Sequence, residues 1–154
     1  MVEPGHQFEW AWLLLRAGRA EPLGAGCVSQ GQAGAVGLTA ARRLIAIGEA
    51  HGVQNGVVVN ALFDDMSVHD PRARLWPQAE RLKAHAFMAR LTGQAHHGQS
   101  VAEAMVSLLQ YLDTGVRGLW HDQRLPDGGF VGEPSPASSF YHIVCAAREL
   151  KAAP

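Results

Sequence analysis

The sequence predicts an all-α domain in which five helices alternate in direction. Three observations support this prediction. Apolar residues recur at helical spacing in five separate stretches, segments rich in Gly or Pro separate those stretches, and the second and fourth helices are followed by long connections whereas the third is not. With 154 residues, 47% of them hydrophobic and 18% charged, the chain can bury one core. We therefore expect residues 1–154 to form a single domain.

The first three helices follow from apolar spacing and from the residues that end them. The first runs from His6 to Gly18, and apolar side chains on nearly all of its faces predict that it is buried. The second runs from about Ala33 to Ala50, has one apolar stripe and ends near Gly52. The third opens with Pro77, which is favoured in the first helical turn, and ends at Gly93.

The last two helices complete the alternating array. Ser100 and Glu103 match a capping box, which predicts that the fourth helix starts there and closes near Gly115. The fifth begins at Ser138 or Ser139 and runs to the end of the chain. The long connections, residues 53–76 and 118–137, contain β-prone and turn-forming residues and predict small hairpins. Helices one, three and five should then point their N-termini toward one mouth.

Composition argues against several classes of function. Thirteen Lys and Arg against fourteen Asp and Glu leave a net charge of −1, without the basic stripe that a nucleic-acid backbone requires. No apolar run approaches the roughly 20 residues that span a bilayer, and the start lacks the pattern of a signal peptide. Cys27 and Cys145 occupy ordinary apolar contexts, which argues against a disulfide. We expect a cytoplasmic protein that binds neither nucleic acid nor membrane.

Side chains suited to proton transfer occur near the starts of the three odd-numbered helices. They are His6, Glu9, Glu80 and His142. The positive end of a helix dipole favours a neutral imidazole and an ionised carboxylate. Each residue alone has a structural interpretation as a cap, a surface residue or a first-turn carboxylate. Their repetition at equivalent points of three helices favours a functional site.

Aromatic residues near the same mouth would suit a polyhydroxylated substrate. Trp10 and Trp76, with Trp120, could stack on a sugar ring, although core packing is the alternative. His6 and Glu9 supply half of a helical metal site, but no second pair follows and no phosphate-binding Gly loop is present. No metal and no cofactor is therefore expected. The other histidines have no predicted partner, and His96 and His97 are expected in a solvated loop.

Four blocks of sequence resemble the N-acylglucosamine 2-epimerase family, whose members include mannose isomerases. They are Glu3–Leu14, Arg74–Ala84, Gly118–Asp122 and Ser138–Ala146. The resemblance implies an (α/α)6 barrel of twelve helices, of which this chain supplies the last five, with the odd-numbered helices in the inner ring. It further implies that the chain lacks the family's N-terminal half, including an arginine that stabilises the developing oxyanion. The exposed inner ring should then form a homo-oligomer or recruit a complementary N-terminal fragment.

By the same resemblance, the histidines His6 and His142 move protons at C1 and C2 of an open-chain sugar, while Glu9 and Glu80 hold its hydroxyls. The implied function is aldose–ketose interconversion of a mannose-type sugar through an enediolate. Epimerisation at C2 of an N-acylated or free sugar is a second possibility, and a catalytically silent assembly module is a third. Whether the sugar carries a phosphate stays open at this point. The basic residues Arg72, Arg74, Arg81 and Lys83 could bind a phosphate or simply face solvent.

Overall fold

The computed structural model describes residues 1–18 and 30–152, with side chains omitted for residues 30–34. Five α-helices account for most of the described chain, which confirms the predicted fold class. They are α1 (Pro4–Ala17), α2 (Gln30–Ile47), α3 (Leu75–Thr92), α4 (Ala95–Leu112) and α5 (Ser139–Lys151). A π-helical turn, Gly48–Gly52, extends α2. Cys27 and most of the connection before α2 lie outside the described residues, and Cys145 is a free thiol.

Helix α3 is the centre of the array, with buried residues along most of its length. It packs against α1, α4 and α5, while α2 packs on the other side of α1. The N-terminal residue Trp76 of α3 contacts His6 of α1 and His142 of α5. At the opposite end, Glu149 of α5 pairs with Arg16 of α1 and Arg90 of α3. Helices α1, α3 and α5 therefore run in the same direction, as predicted.

The core has two parts, one on each side of α3. The first joins α1, α2 and α3 and contains Phe8, Ala11, Trp12, Leu15, Ala41, Ile45, Val58, Ala84, Phe87 and Met88. The second joins α3, α4 and α5 and contains Leu75, Ala79, Leu82, Ala104, Leu108, Tyr111 and Ala146. Because α3 contributes to both parts, its position determines where the other odd-numbered helices begin.

Helix α1 is less buried than its sequence predicts. Trp10 is 58% exposed to solvent and Leu13 is 39% exposed. These two side chains lie on the face opposite the buried residues Phe8, Ala11 and Leu15. The expectation of a helix covered on nearly all faces is thus wrong for the described residues, because no element among them packs against this face.

Short antiparallel ribbons form the two long connections. Strands β1 (Val53–Gln54) and β2 (Val57–Val58) pair with each other, as do β3 (Ala61–Leu62) and β4 (Val68–Asp70). Strands β5 (Ala73–Arg74) and β6 (Gln123–Arg124) join the two connections to one another. Hairpins were predicted in both connections, but the pairing between them was not. It holds the connection after α4 against the start of α3.

A cluster of buried charged and imidazole groups joins α3 to α4 and to the π-helical turn. The Arg81 guanidinium is 2% exposed and donates to Glu49 Oε1 at 2.6 Å and to Glu103 Oε2 at 3.2 Å. His85 contacts Glu49 through Nε2 and His97 through Nδ1. The expected solvated loop at His97 is therefore wrong, and His85 does have partners. Both imidazoles are buried, and the contact between their Nδ1 atoms gives each ring a polar partner.

The same surroundings shift two pKa values in this cluster. Burial would raise the pKa of Glu49, but hydrogen bonds from His85 and Arg81 outweigh it and lower the value to about 2. Burial and nearby positive charge on His85 lower the pKa of His97 to about 4. Glu49 is consequently an anion and His97 a neutral imidazole near pH 7.

Candidate active site

A cleft opens where the N-termini of α1, α3 and α5 meet. Its volume is about 300 Å³, and the segment that leads into α5 forms one wall. Its lining residues are His6, Glu9, Arg74, Trp76, Asp122, Pro136, Ser138, Ser139 and His142. The parallel arrangement of the three helices accounts for the concentration of polar groups, because each helix contributes residues from its first two turns.

His142 is held at the cleft by a buried acid–base group. The Glu80 carboxylate, 0% exposed, lies 2.6 Å from His142 Nδ1 through its Oε1 atom. Lys83 donates to the same Oε1 at 2.7 Å and is itself 1% exposed. The Lys83 ammonium also lies 3.8 Å from the centre of the Trp12 ring, a cation–π contact. The buried carboxylate is thus balanced by a buried cation one helical turn away.

This arrangement determines which nitrogen of His142 can act as a base. A carboxylate accepts hydrogen bonds and cannot donate them. In the neutral imidazole the proton therefore lies on Nδ1, and Nε2 carries the lone pair. Because Nδ1 is engaged by Glu80 and His142 lines the cleft, Nε2 is the nitrogen left for a substrate. The relation of carboxylate to histidine is the one that orients a general base in hydrolytic triads.

His6 is placed differently, between two carboxylates. Its Nδ1 atom lies 3.7 Å from Glu3 Oε2 and its Nε2 atom lies 3.8 Å from Glu9 Oε2. Both separations exceed a normal hydrogen bond, so neither carboxylate fixes the ring. The side chain is half exposed at 50%. His6 is therefore accessible to solvent and to a molecule in the cleft.

The Trp76 indole contacts both histidines. Its ring centroid lies 5.0 Å from that of His6 and 5.7 Å from that of His142. Gly5 makes this packing possible, because a Cβ atom at that position would lie 2.5 Å from Trp76 Cη2. The glycine in the first turn of α1 thus allows the indole to lie against the helix backbone.

Asp122 fastens the remaining wall of the cleft. Its backbone carbonyl accepts a hydrogen bond from Leu75 N at 2.8 Å, and its Oδ1 atom accepts one from Ser139 Oγ at 2.7 Å. A single residue of the second connection thus ties the first turn of α3 to the first turn of α5. This link sets the distance between Trp76 and His142.

The structure brings most of the predicted site residues together. His6, Glu9, Trp76 and His142 line the cleft, and Glu80 lies directly behind His142. Trp10 lies outside the lining and is exposed. Trp120 stacks on Phe140, with ring centroids 5.8 Å apart, and does not line the cleft either.

Sequence reasoning gave Asp122 and Ser139 no role, and it treated Arg74 and Lys83 as basic residues that could bind a phosphate or face solvent, without placing them at the cleft. Lys83 lies three residues after Glu80, a spacing that favours an ion pair on one helix face, so this signal was available. Asp122 and Ser139 each lay inside a block of the family resemblance, but neither carried a role. Their contact joins residues 17 positions apart and has no local sequence signal.

Within residues 1–18 and 30–152, no three or more side chains of His, Cys, Asp and Glu are grouped as metal ligands would be. Nor does any helix of the described residues have the length and apolar character to cross a bilayer. The polar and aromatic groups that line the cleft are two imidazoles, two carboxylates, two serine hydroxyls, the Arg74 guanidinium and the Trp76 indole.

Fold and cleft together define a helical protein with imidazole and carboxylate groups at the N-termini of three parallel helices. The family model for N-acylglucosamine 2-epimerase (GlcNAc 2-epimerase) matches residues 1–146. A mannose-6-phosphate isomerase from Rhizobium meliloti (strain 1021) is 48% identical over 98% of this chain. The chain belongs to the N-acylglucosamine 2-epimerase family. It spans 38% of the length of that relative.

Two solved structures share the fold. A D-mannose isomerase superposes with a TM-score of 0.81 over 97% of this chain and 37% of its own, at 23% sequence identity. The cellobiose 2-epimerase from Spirochaeta thermophila DSM 6192 superposes with a TM-score of 0.68 over the same shares, at 16% identity. These similarities confirm that the helices form part of an (α/α)6 barrel.

Proposed function

We propose that this chain provides the proton-transferring part of a sugar isomerase active site, acting on an open-chain mannose-type aldose. The observation that carries the proposal is the buried Lys83–Glu80–His142 group, which leaves His142 Nε2 as an oriented base in a cleft. Abstraction of a proton next to a carbonyl needs such a base near neutral pH. The cleft of about 300 Å³ is large enough for one monosaccharide.

In the proposed reaction His142 Nε2 takes the proton from C2 of the aldose. The C2–H electrons form the C1–C2 double bond of an enediolate, and the carbonyl electrons move onto O1. His6 donates a proton to O1 and takes one back from the O2 hydroxyl as the C2 carbonyl forms. His142 exchanges the proton it holds with solvent and then protonates C1, so the product is the ketose. Glu9 accepts a hydrogen bond from a sugar hydroxyl, and Trp76 contacts the carbon face.

The similar proteins favour isomerisation over epimerisation. The relative at 48% identity is a mannose-6-phosphate isomerase, and the structure with the higher TM-score is a D-mannose isomerase. A mannose-type aldose is therefore the substrate we infer. The Glu80 carboxylate acts through His142 in this proposal, and the role in sugar binding that the family resemblance implied for it stays a prediction.

Epimerisation at C2 is the second candidate, since the family model and the cellobiose 2-epimerase both point to it. The first steps are the same, but the proton returns to the opposite face of C2. His6 would then be the group that delivers it, because it is the second imidazole that lines the cleft.

Incubation of the chain with mannose in heavy water distinguishes these reactions. Isomerisation yields fructose with deuterium at C1, whereas epimerisation yields glucose with deuterium at C2, and NMR separates the two products. We expect fructose. Glucose labelled at C2 would contradict isomerisation and would support epimerisation. A folded, monodisperse sample that exchanges no proton and forms no product would contradict catalysis by this chain and favour an assembly role.

A further inference from the structure

Four basic side chains that the sequence could not distinguish differ in their surroundings in the structure. They are Arg72, Arg74, Arg81 and Lys83. Arg81 is buried against Glu49 and Glu103, and Lys83 is buried against Glu80. Both are therefore already neutralised inside the protein, and the expectation that they could face solvent is wrong. Neither can bind a substrate without losing its internal carboxylate.

Arg72 and Arg74 remain exposed, but they differ in their partners. Arg72 makes two hydrogen bonds to Asp70, through Nε at 2.9 Å and through Nη2 at 2.8 Å. This pairing raises the pKa of the Arg72 guanidinium. Among the described residues, the Arg74 side chain makes no ion pair and no hydrogen bond. Its guanidinium is thus available.

The backbone of Arg74 is nevertheless fixed. Its N–H donates to Asn60 Oδ1 at 3.0 Å, and the residue pairs with Gln123 in the β5–β6 ribbon. The preceding carbonyl, that of Ala73, accepts a hydrogen bond from the Tyr111 hydroxyl at 2.9 Å. A free side chain on a fixed backbone is a feature of a binding residue, because little backbone order remains to be gained on binding.

Arg74 stands between two cavities. It lines the cleft that contains His6 and His142, and it also lines a neighbouring cavity of about 230 Å³. Trp76 is shared by both cavities as well, and Arg74 is the one Lys or Arg among the described lining residues of either. A molecule whose reacting end lies at His142 could therefore extend past Trp76 toward the guanidinium.

We propose that Arg74 is the specificity-determining residue that recognises a phosphate monoester on the end of the sugar away from its reacting carbons. The proposal rests on the proposed isomerase function and adds the chemical class of the substrate. Guanidinium groups bind phosphate through paired, charge-assisted hydrogen bonds, and an arginine without an internal carboxylate is free to make them. Carboxylates line both cavities, Glu9 and Asp122 in the first and Glu3 and Asp70 in the neighbouring one, so the Arg74 guanidinium is the feature that favours a phosphate.

The test compares mannose 6-phosphate with mannose in the full chain and in two variants. Arg74→Met removes the charge and keeps most of the aliphatic stem, while Arg117→Met is the control, since that exposed arginine lines neither cavity. We expect Arg74→Met to lower the ratio of kcat/KM for the phosphate ester over the neutral sugar by about tenfold or more, as loss of charged hydrogen bonds does. Arg117→Met should leave the ratio unchanged, and Arg74→Lys should recover part of it.

Binding measured by calorimetry keeps this test independent of turnover. The unsubstituted chain should bind mannose 6-phosphate more tightly than mannose, and Arg74→Met should remove the difference. Equal affinity for both sugars in the unsubstituted chain, or an Arg74→Met variant that keeps the preference, would overturn the assignment. If the chain shows no turnover but still binds mannose 6-phosphate more tightly than mannose, and if this preference depends on Arg74, the result would count against the isomerase proposal alone.

Discussion

Glu80 and Lys83 place a carboxylate and an ammonium group, both fully buried, directly behind His142. Glu80 Oε1 receives both contacts, while Glu80 Oε2 is buried without a hydrogen-bond partner among the described residues. A buried ion pair contributes little net stability, but removing one member leaves an uncompensated charge. The pair is thus best understood as a device that orients His142.

Replacement of Lys83 by Met should destabilise the fold. The Glu80 carboxylate would remain buried with His142 as its one partner, and breaking such a pair costs about 3–5 kcal/mol. Urea unfolding measures the change in free energy. Lys151→Met, at the exposed end of α5, is the control and should have a small effect. If Lys83→Met unfolds at the same urea concentration as the unsubstituted chain, the buried ion pair does not exist in solution.

The double variant Lys83→Met with Glu80→Gln should recover much of that loss, because it removes both buried charges together. An additive loss in the double variant would mean that the two side chains do not interact.

At the residue scale, the sequence predicted the histidines and the carboxylate that line the cleft, but it did not predict the buried ion pairs of α3. His6, Glu9 and His142 were recognisable because each falls near a helix start, and the structure brings all three to one cleft. The buried state of Arg81 and Lys83 could not be predicted in the same way. Arg81 is neutralised by Glu49 and Glu103, which are 32 and 22 residues away.

Among the elements, the contact of α1 with α3 depends on the absence of a side chain at Gly5. We predict that Gly5→Ala displaces the Trp76 indole, since the added Cβ would meet its ring at 2.5 Å. Overpacking of this kind costs about 1–3 kcal/mol, and the fluorescence of the protein should change as Trp76 moves.

Gly98→Ala provides the comparison, because that glycine lies within α4 and has no heavy atom within 4 Å of the added Cβ. It should stabilise the chain by about 0.5–1 kcal/mol through better helix propensity. A Gly5→Ala variant as stable as the parent, with unchanged fluorescence, would show that Trp76 does not pack on α1 as described.

The cluster between α3, α4 and the π-helical turn makes the fold sensitive to acid. The pKa of His97 is about 4 in the folded state against an ordinary 6.5, so the unfolded chain takes up the proton more readily between these values. The free energy of unfolding should fall as the pH drops from 6.5 to 4. Glu49, with a pKa of about 2 against 4.5, should extend the fall below pH 4.5.

His97→Gln should flatten the part of this dependence above pH 4.5 and leave the lower part, as measured by urea unfolding at several pH values. His51→Gln replaces an exposed histidine and should leave the whole profile intact. A His97→Gln variant with an unaltered profile would exclude His97 as the group that titrates.

Element boundaries show why local patterns succeeded or failed. Gly93 ends α3 in the left-handed conformation, φ 65°, as its position predicted. The capping box at Ser100 and Glu103 was wrong, because α4 begins at Ala95. Glu103 pairs with Arg81 of α3, and the buried His97 lies in the first turn of α4 against His85. Tertiary contacts with α3 thus stabilise an N-terminal turn of α4 that precedes the sequence motif at Ser100.

For the whole molecule, apolar side chains remain exposed on the inner helices. Trp10 and Leu13 of α1 and Tyr141 and Val144 of α5 each retain 39% or more of their exposure. The general plan of parallel odd-numbered helices followed from connection lengths and was confirmed. Which faces stay uncovered depends on packing across the whole array, so the sequence of α1 alone suggested full burial.

We predict that the chain self-associates through these faces. Light scattering should give a molar mass that rises above 16.5 kDa with concentration. Leu13→Gln together with Val144→Gln should reduce the association, whereas Val106→Gln, an exposed apolar residue of α4, should not. A monomer at all concentrations, or an equal effect of the α4 variant, would contradict association through α1 and α5.

The central claim is that His142 removes the proton from C2 of the sugar. The most direct measurement is the loss of the C2 proton signal of mannose in heavy water, followed by NMR for the unsubstituted chain, His142→Gln and His51→Gln. We predict exchange with the unsubstituted chain and with His51→Gln, and exchange slower by about a hundredfold or more with His142→Gln. Equal exchange rates in a folded His142→Gln variant would place the base elsewhere and contradict the account.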